Sequence, residues 1–447
     1  MSHAGRIAII GAGPAGLTAA YRLSELGHRV DVFEASQNVG GLARSITLWG
    51  TQVDLGSHIF HLGIPEIDRI WHETLGDRQY FLELKRGLLD SGRIHQHPFD
   101  PFKLFATLGV TEIAKCALSW AFRERRSSIK SAEDLIISRY GRRAYDRLLR
   151  TYIEKLWGTA GSELDASFAQ SLLGSVPTSP GSALVNAAHR LIFRQSKESR
   201  SSLFPYPVGG TGALWRGMAD KIRVLGGEIH LLAKVDRVVI EGRRVQGLEI
   251  GETVIGADFV ISSLPLPTLY KAITKSPILP TAMKPRSTIL VYLDLSEDEK
   301  FPGLWLYLLD KGVCAGRVTN VSAWNPGASP KGYTKTLCIE YSCDAGDPLW
   351  ISTDQELASQ AEREMQVVGI MKSSAVLRWH IERLRSTHPG HHQGSADWVQ
   401  QAKAEITKIE RLWSVGRHGT ASLAAMSDAM GEGYQAAETI HTALGGR

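Results

Sequence analysis

Hydrophobic positions near the start of the chain change period twice within thirty residues. Arg6-Ile7-Ala8-Ile9-Ile10 is an unbroken apolar run, the pattern of a short strand buried on both faces. It stops at Gly11-Ala12-Gly13-Pro14-Ala15-Gly16, and from Leu17 to Leu23 the apolar positions recur at helical spacing. Val30-Asp31-Val32-Phe33 is a second buried run with Glu34 at its carboxyl end. The order predicts strand, tight turn, helix and strand, a βαβ unit of ordinary length.

Further along, the pattern from Pro65 to about Arg200 is mostly helical, broken at Gly92–Phe99 by a turn and a short extended segment. Phe204–Trp215 reads as a proline-glycine turn leading into a helix through Ile222. Gly227–Leu232, Val235–Ile240 and Phe259–Ser263 are β-rich. Thr288–Leu295, Leu304–Tyr307, Gly316–Asn320 and Thr336–Tyr341 are short strands separated by turn residues, which predicts an antiparallel sheet forming one wall of a substrate cavity. A last strand, Leu412–Gly419, precedes a helix opened by Met426-Ser427-Asp428.

Composition narrows the class. The chain has 447 residues with 43% hydrophobic and 22% charged, which excludes disorder and fibres and suggests two or three domains. The formal charge of +5 admits acidic ligands without calling for nucleic acid. Cys116, Cys314, Cys338 and Cys343 form no CxxC pair, so a reduced, cytoplasmic compartment is expected. The opening residues lack a signal-peptide pattern. The apolar stretch Phe102–Phe122 carries Lys103, Glu112 and Lys115 and predicts no spanning helix, although Arg123-Glu124-Arg125-Arg126 behind it leaves a membrane-surface contact as the lesser alternative. The expected partner is a small molecule. No metal site is expected, because His95, His97 and the His388–His392 turn lack further ligands at useful spacing.

The glycine turn carries the first chemistry. Gly11 permits the turn, Gly13 lets backbone N–H groups approach a pyrophosphate, and Gly16 lets the helix lie close against the strand. Glu34 is placed to accept hydrogen bonds from a ribose and to repel a 2′-phosphate. Gly40-Gly41-Leu42-Ala43-Arg44, then Asp54-Leu55-Gly56-Ser57-His58, add backbone donors and a cation, which suits a longer, doubly anionic cofactor, FAD rather than NAD.

Glu34-Ala35-Ser36, Gly40-Gly41 and Asp54-Leu55-Gly56 resemble the flavin-binding start of the amine oxidase, protoporphyrinogen oxidase and UDP-galactopyranose mutase superfamily. The resemblance implies an α/β fold in which a discontinuous, Rossmann-type FAD-binding domain comprises 1–64, 204–265 and 405–447. A helical insert, 65–203, and an antiparallel sheet with helices, 266–404, would form the substrate domain, with the flavin at the junction. It also implies roles residue by residue. His58-Ile59-Phe60-His61 is most similar to the mutase branch, where such histidines lie near the isoalloxazine ring. Tyr152–Gly158 with Glu163-Leu164 resembles a motif whose tryptophan, here Trp157, belongs to the substrate cavity; taken alone, a Trp beside Gly at a helix end is as readily a core anchor. Val235 matches a valine whose backbone meets the adenine, and Gly416-Arg417 with Met426-Ser427 match the region where a helix N-terminus faces the flavin pyrimidine.

Arg286 and Arg317 align with mutase arginines that hold a nucleotide-sugar pyrophosphate, a task suited to the guanidinium fork, with a surface arginine as the plain alternative for each. Two departures stand against that branch: Ala166–Val176 holds no arginine, and Gly346–Trp350 lacks a tyrosine pair. Glu340-Tyr341-Ser342 and Thr353–Val367 look more like the oxidoreductase branch. The leading expectation is an FAD enzyme resembling the pyranose–furanose mutases, using reduced flavin N5 on a nucleotide sugar. The alternatives are an FAD oxidoreductase, in which Trp305, Tyr307 and Trp324 would line an apolar cavity, and a flavoprotein without catalysis.

Overall fold

The computed structural model describes residues 5–97, 109–123, 129–173, 203–274, 281–296, 301–326, 335–372 and 376–446. The chain divides into two compact units, the first of Met1–Leu82, Phe204–Met283 and Asp397–Arg447, the second of Glu83–Leu203 and Lys284–Ala396.

The first unit is built on a parallel sheet of five strands in the spatial order Leu412–Ser414, Phe259–Ser262, Ile7–Ile10, Val30–Phe33, Glu228–His230. Its central strand is apolar at every position because both faces are covered. Ile7 and Ile9 pack with Leu17, Leu23 and Ile440 on the helical side, whereas Ala8 and Ile10 pack with Val238, Leu248 and Leu269 on the other. The helices Pro14–Glu25 and Met426–Ala443 lie on the helical side, and a three-stranded meander, Arg237–Gly256, covers the reverse.

The second unit holds a seven-stranded sheet in the order Val376–His388, Arg286–Leu295, Lys335–Cys343, Arg317–Asn320, Trp305–Leu308, Arg86–Asp90, Arg93–His97. Every neighbouring pair is antiparallel except Trp305–Leu308 with Arg86–Asp90. Period-2 alternation divides its faces. Ile289, Val291 and Leu293 point to a core shared with Leu357, Ala361 and Met365 of the helix Asp354–Val367.

The stretch expected as a helical insert, 65–203, is divided. Pro65–Leu75 belongs to the first unit, and Arg86–His97 is a β-hairpin in the sheet of the second. Its two turn residues, Ser91 and Gly92, have φ of 51° and 72°, the left-handed pair that hairpins of this length require. Parts of the apolar and basic stretches 102–122 and 123–126 lie outside the described residues. The helix Val110–Ala121 within them buries none of its side chains. Among the described residues no helix is long and apolar enough to cross a membrane.

Candidate functional site

The first glycine turn is shaped by contacts that leave no room for side chains. Gly11 has φ of 95° and donates its N–H to Phe33 O at 2.8 Å. A Cβ on Gly16 would stand 1.9 Å from Gly11 O, so the helix begins directly on the turn. Pro14 fills its first position, where a missing N–H is harmless, and neither a capping side chain nor a first-turn acid occupies the free amides. That end of the helix is therefore left positive, suited to an anion. Ala15 is buried beneath it.

The second glycine segment docks on the first. Gly40 N–H donates to Ala12 O at 2.7 Å, and a Cβ on Gly41 would approach Gly13 Cα to 3.2 Å. Ala43 O accepts from Thr211 Oγ1 at 2.7 Å and from Trp215 Nε1 at 2.8 Å, while Arg44 folds back to donate to Gly41 O at 2.9 Å. Buried Asp54 gathers three donors, Ser45 Oγ at 2.5 Å, Tyr206 Oη at 2.7 Å and Thr211 N at 3.0 Å. Leu42 and Ser57 are half-buried, and Gly56 is buried with φ of 85°. Trp215, Thr211 and Asp54 were not picked out from sequence as partners of this segment.

Glu34 does more than face a ribose. Its Oε2 accepts from Ala12 N and its Oε1 from Ser36 N, both at 2.8 Å, so the carboxylate braces the turn while each oxygen keeps a further lone pair. The backbone around Ala35 is stitched to the 232–235 loop by Leu232 N to Ser36 O at 3.1 Å and Ala233 N to Glu34 O at 2.9 Å, which brings half-buried Val235 to the same sheet end.

The closing helix completes this cradle. A Cβ on Gly433 would lie 2.1 Å from Ala15 O, and one on Gly416, whose φ is 80°, would lie 3.0 Å from Ala15 Cβ. Glu432 accepts from Gly416 N at 2.6 Å and holds that turn; burial raises its carboxyl above the usual range, against the pull of the Gly416 hydrogen bond. Arg417 donates to Ala424 O at 3.0 Å, Met426 packs on the core, and Ser427 is buried. Asp428 receives Ala425 N at 3.0 Å and offsets part of the helix-end charge. His58 Nε2 lies 3.1 Å from Leu55 O, and His61 is exposed. These glycine contacts and the uncapped helix end fit an ADP-bearing dinucleotide.

In the second unit three of the implied site residues have the following surroundings. Trp157 is 3% exposed and enclosed by Phe168, His391 and His388 at ring-centre distances of 4.9, 5.1 and 5.8 Å. It is a core anchor, ending its helix at Gly158 with φ of 68°. Arg286 is buried, and its guanidinium pairs with Asp344 and donates to Leu156 O at 3.3 Å and Ser342 O at 3.0 Å. It staples the Trp157-Gly158 turn to the sheet. Arg317 donates from Nε and Nη2 to the two oxygens of Glu340, directly across the strand pair, at 2.7 and 2.6 Å. Burial works against its charge, yet Glu340 outweighs that and holds the guanidinium more firmly protonated than usual. A pyrophosphate there would have to displace Glu340.

Register shows what this face of the sheet offers. Trp305 is opposite Thr319 and Tyr307 opposite Arg317, so their side chains share the face turned away from the apolar core. Tyr152 meets Tyr307 edge-on at 5.2 Å, and Trp324 stacks on Trp305 at 5.8 Å. The result is a packed aromatic cluster, with Trp305 and Trp324 buried and Tyr307 half-buried, beside one neutralised ion pair. His391 is buried at the neighbouring turn, where burial lowers its imidazole to about 4.

Known proteins add the following. The family described as flavin containing amine oxidoreductase matches residues 14–441. Protoporphyrinogen oxidase 2 of Arabidopsis thaliana is 28% identical over 212 residues, which are 44% of this chain and 41% of that protein. Coproporphyrinogen III oxidase of Mycobacterium leprae is 25% identical over 433 residues, 89% of this chain and 90% of the other. A reduced UDP-galactopyranose mutase superposes with a TM-score of 0.80 at 18% identity, covering 98% of this chain and 96% of the mutase, a likeness of fold alone.

Proposed function

Because this chain belongs to the flavin containing amine oxidoreductase family and its cofactor is FAD, we propose that it is a net oxidoreductase that takes hydride from a C–H bond, including one alpha to a nitrogen, of a small, largely apolar substrate. The observation that carries this reading is the state of the two arginines on which a nucleotide-sugar reaction would depend. Arg286 is paired with Asp344 and Arg317 with Glu340, so a pyrophosphate would have to compete with a carboxylate at each. The porphyrinogen-oxidising relatives agree with it. The fold shared with the mutase is equally compatible with either chemistry.

Bound FAD supplies a two-electron acceptor. The chain's own residues do the holding. Gly13 and Gly41 would present backbone to the pyrophosphate, Glu34 would accept from the ribose, and the Met426 end of the closing helix would offer its remaining partial positive charge to the pyrimidine. On the sheet, half-buried Tyr307 provides apolar contact area over buried Trp305, and the Arg317–Glu340 pair keeps the face polar at one point without net charge.

Mixing the oxidised, FAD-loaded protein anaerobically with porphyrinogens, polyenes and amines tests the proposal. One class should bleach the visible flavin absorbance at a rate saturating with substrate. Interconversion of a nucleotide sugar by the reduced protein, without consumption of reductant, would overturn it.

A further inference from the structure

Outside the glycine cradle, the outer strand of the five-stranded sheet and its neighbour carry a cluster of ionisable side chains. Parallel pairing sets Asp31 opposite Glu228 and Phe33 opposite His230, and the period of two puts all four side chains on one face. His230 Nε2 lies 3.1 Å from Asp31 Oδ1 and 3.8 Å from Glu228 Oε2, and one ligand atom from each of the three falls within 4.8 Å of the others. We propose that Asp31, Glu228 and His230 form a binding site for a divalent transition-metal ion of the zinc class.

The geometry suits such an ion. Ligands at about 2.0–2.2 Å in tetrahedral array stand roughly 3.3–3.5 Å apart, and the two measured separations bracket that span. The imidazole is also aimed in advance, because its ring stacks on buried Phe33 at 4.8 Å and 14°. Carboxylates alone would favour calcium or magnesium; the imidazole moves the preference to zinc, cobalt, nickel or copper. Among the described residues no other trio of His, Cys, Asp or Glu converges this closely.

Charge and access point the same way. Two carboxylates converge on the imidazole; Arg6 and Arg29 line the same cavity, and Arg29 reaches Glu228 at 3.6 Å between side chains that are both more than half exposed. An exposed pair of that kind contributes about 1 kcal/mol or less, which a metal ion readily displaces. The glutamate is reached from solvent at the sheet edge, while Asp31 and His230 also line a cavity of about 420 Å³ that leaves space for water as a fourth ligand.

Calorimetric titration of the full-length, FAD-loaded protein with zinc chloride tests the site, in a Cys314→Ser background that removes the one exposed thiol among the described residues. One equivalent should bind. Asp31→Asn, Glu228→Gln and His230→Gln should each weaken it by about tenfold or more, the scale on which even the partners of metal ligands act. Flavin absorbance and circular dichroism should match the parent, since all three are partly exposed side chains at a strand edge. Failure of the parent to take up an equivalent, or uptake by all three variants with unchanged affinity, would overturn the proposal.

Discussion

At the scale of single residues, the buried charges of the second unit can be tested most sharply. Arg286 is buried, so Asp344→Ala, which leaves its guanidinium only the longer approach of Asp347 at 3.9 Å, should destabilise the protein by about 3 kcal/mol. Arg286→Met combined with Asp344→Ala should recover most of that loss, because no charge is then stranded. Urea denaturation of the parent and the two variants measures both effects, and a double variant as unstable as the single one would refute the staple. Glu34 can be tested through cofactor affinity. Glu34→Gln keeps the shape but loses charge-assisted acceptors for Ala12 N, Ser36 N and the ribose, each worth about 1.5–3 kcal/mol. Apoprotein carrying it should bind FAD about tenfold to a hundredfold more weakly in an absorbance titration.

At the scale of elements, the legible part was the part in which sequence neighbours meet. The turn between Ile10 and Leu17 could be read because its glycines serve contacts a few residues away, such as Gly16 against Gly11 O. The partners of the arginines could not. Glu340 is 23 residues from Arg317 and Asp344 is 58 from Arg286, and only the pairing of antiparallel strands puts them side by side. The same holds for Ser91-Gly92, since a serine at positive φ gives no composition signal for a hairpin. Trp157 was open to two readings, and packing decided for the core. Gly433 tests the closing helix as an element. Its substitution by alanine would drive a methyl into Ala15 O, so the helix must shift from the first one. Purified Gly433→Ala should carry a lower flavin content than the parent and melt several degrees earlier, as a loss of about 1–3 kcal/mol implies.

At the scale of the whole molecule, each unit has its own hydrophobic core, so a local perturbation can be traced to the unit that suffers it. Acid should reach the second unit through His391. Its buried imidazole takes a proton only near pH 4, whereas the unfolded chain takes one near 6.5, so between those values the unfolded state binds more protons and is favoured as pH falls. The stabilisation is complete above about pH 6.5, declines as pH drops, and by about pH 4 has lost roughly 3 kcal/mol. His391→Gln removes the titrating group and should flatten that part of the stability profile. Denaturant unfolding at a series of pH values, followed by tryptophan fluorescence because Trp157 packs on the same ring, reads the difference directly. Equal slopes for parent and variant between pH 6.5 and 4 would mean that His391 titrates as freely in the folded chain as in the unfolded one, and that the Trp157 cluster admits water.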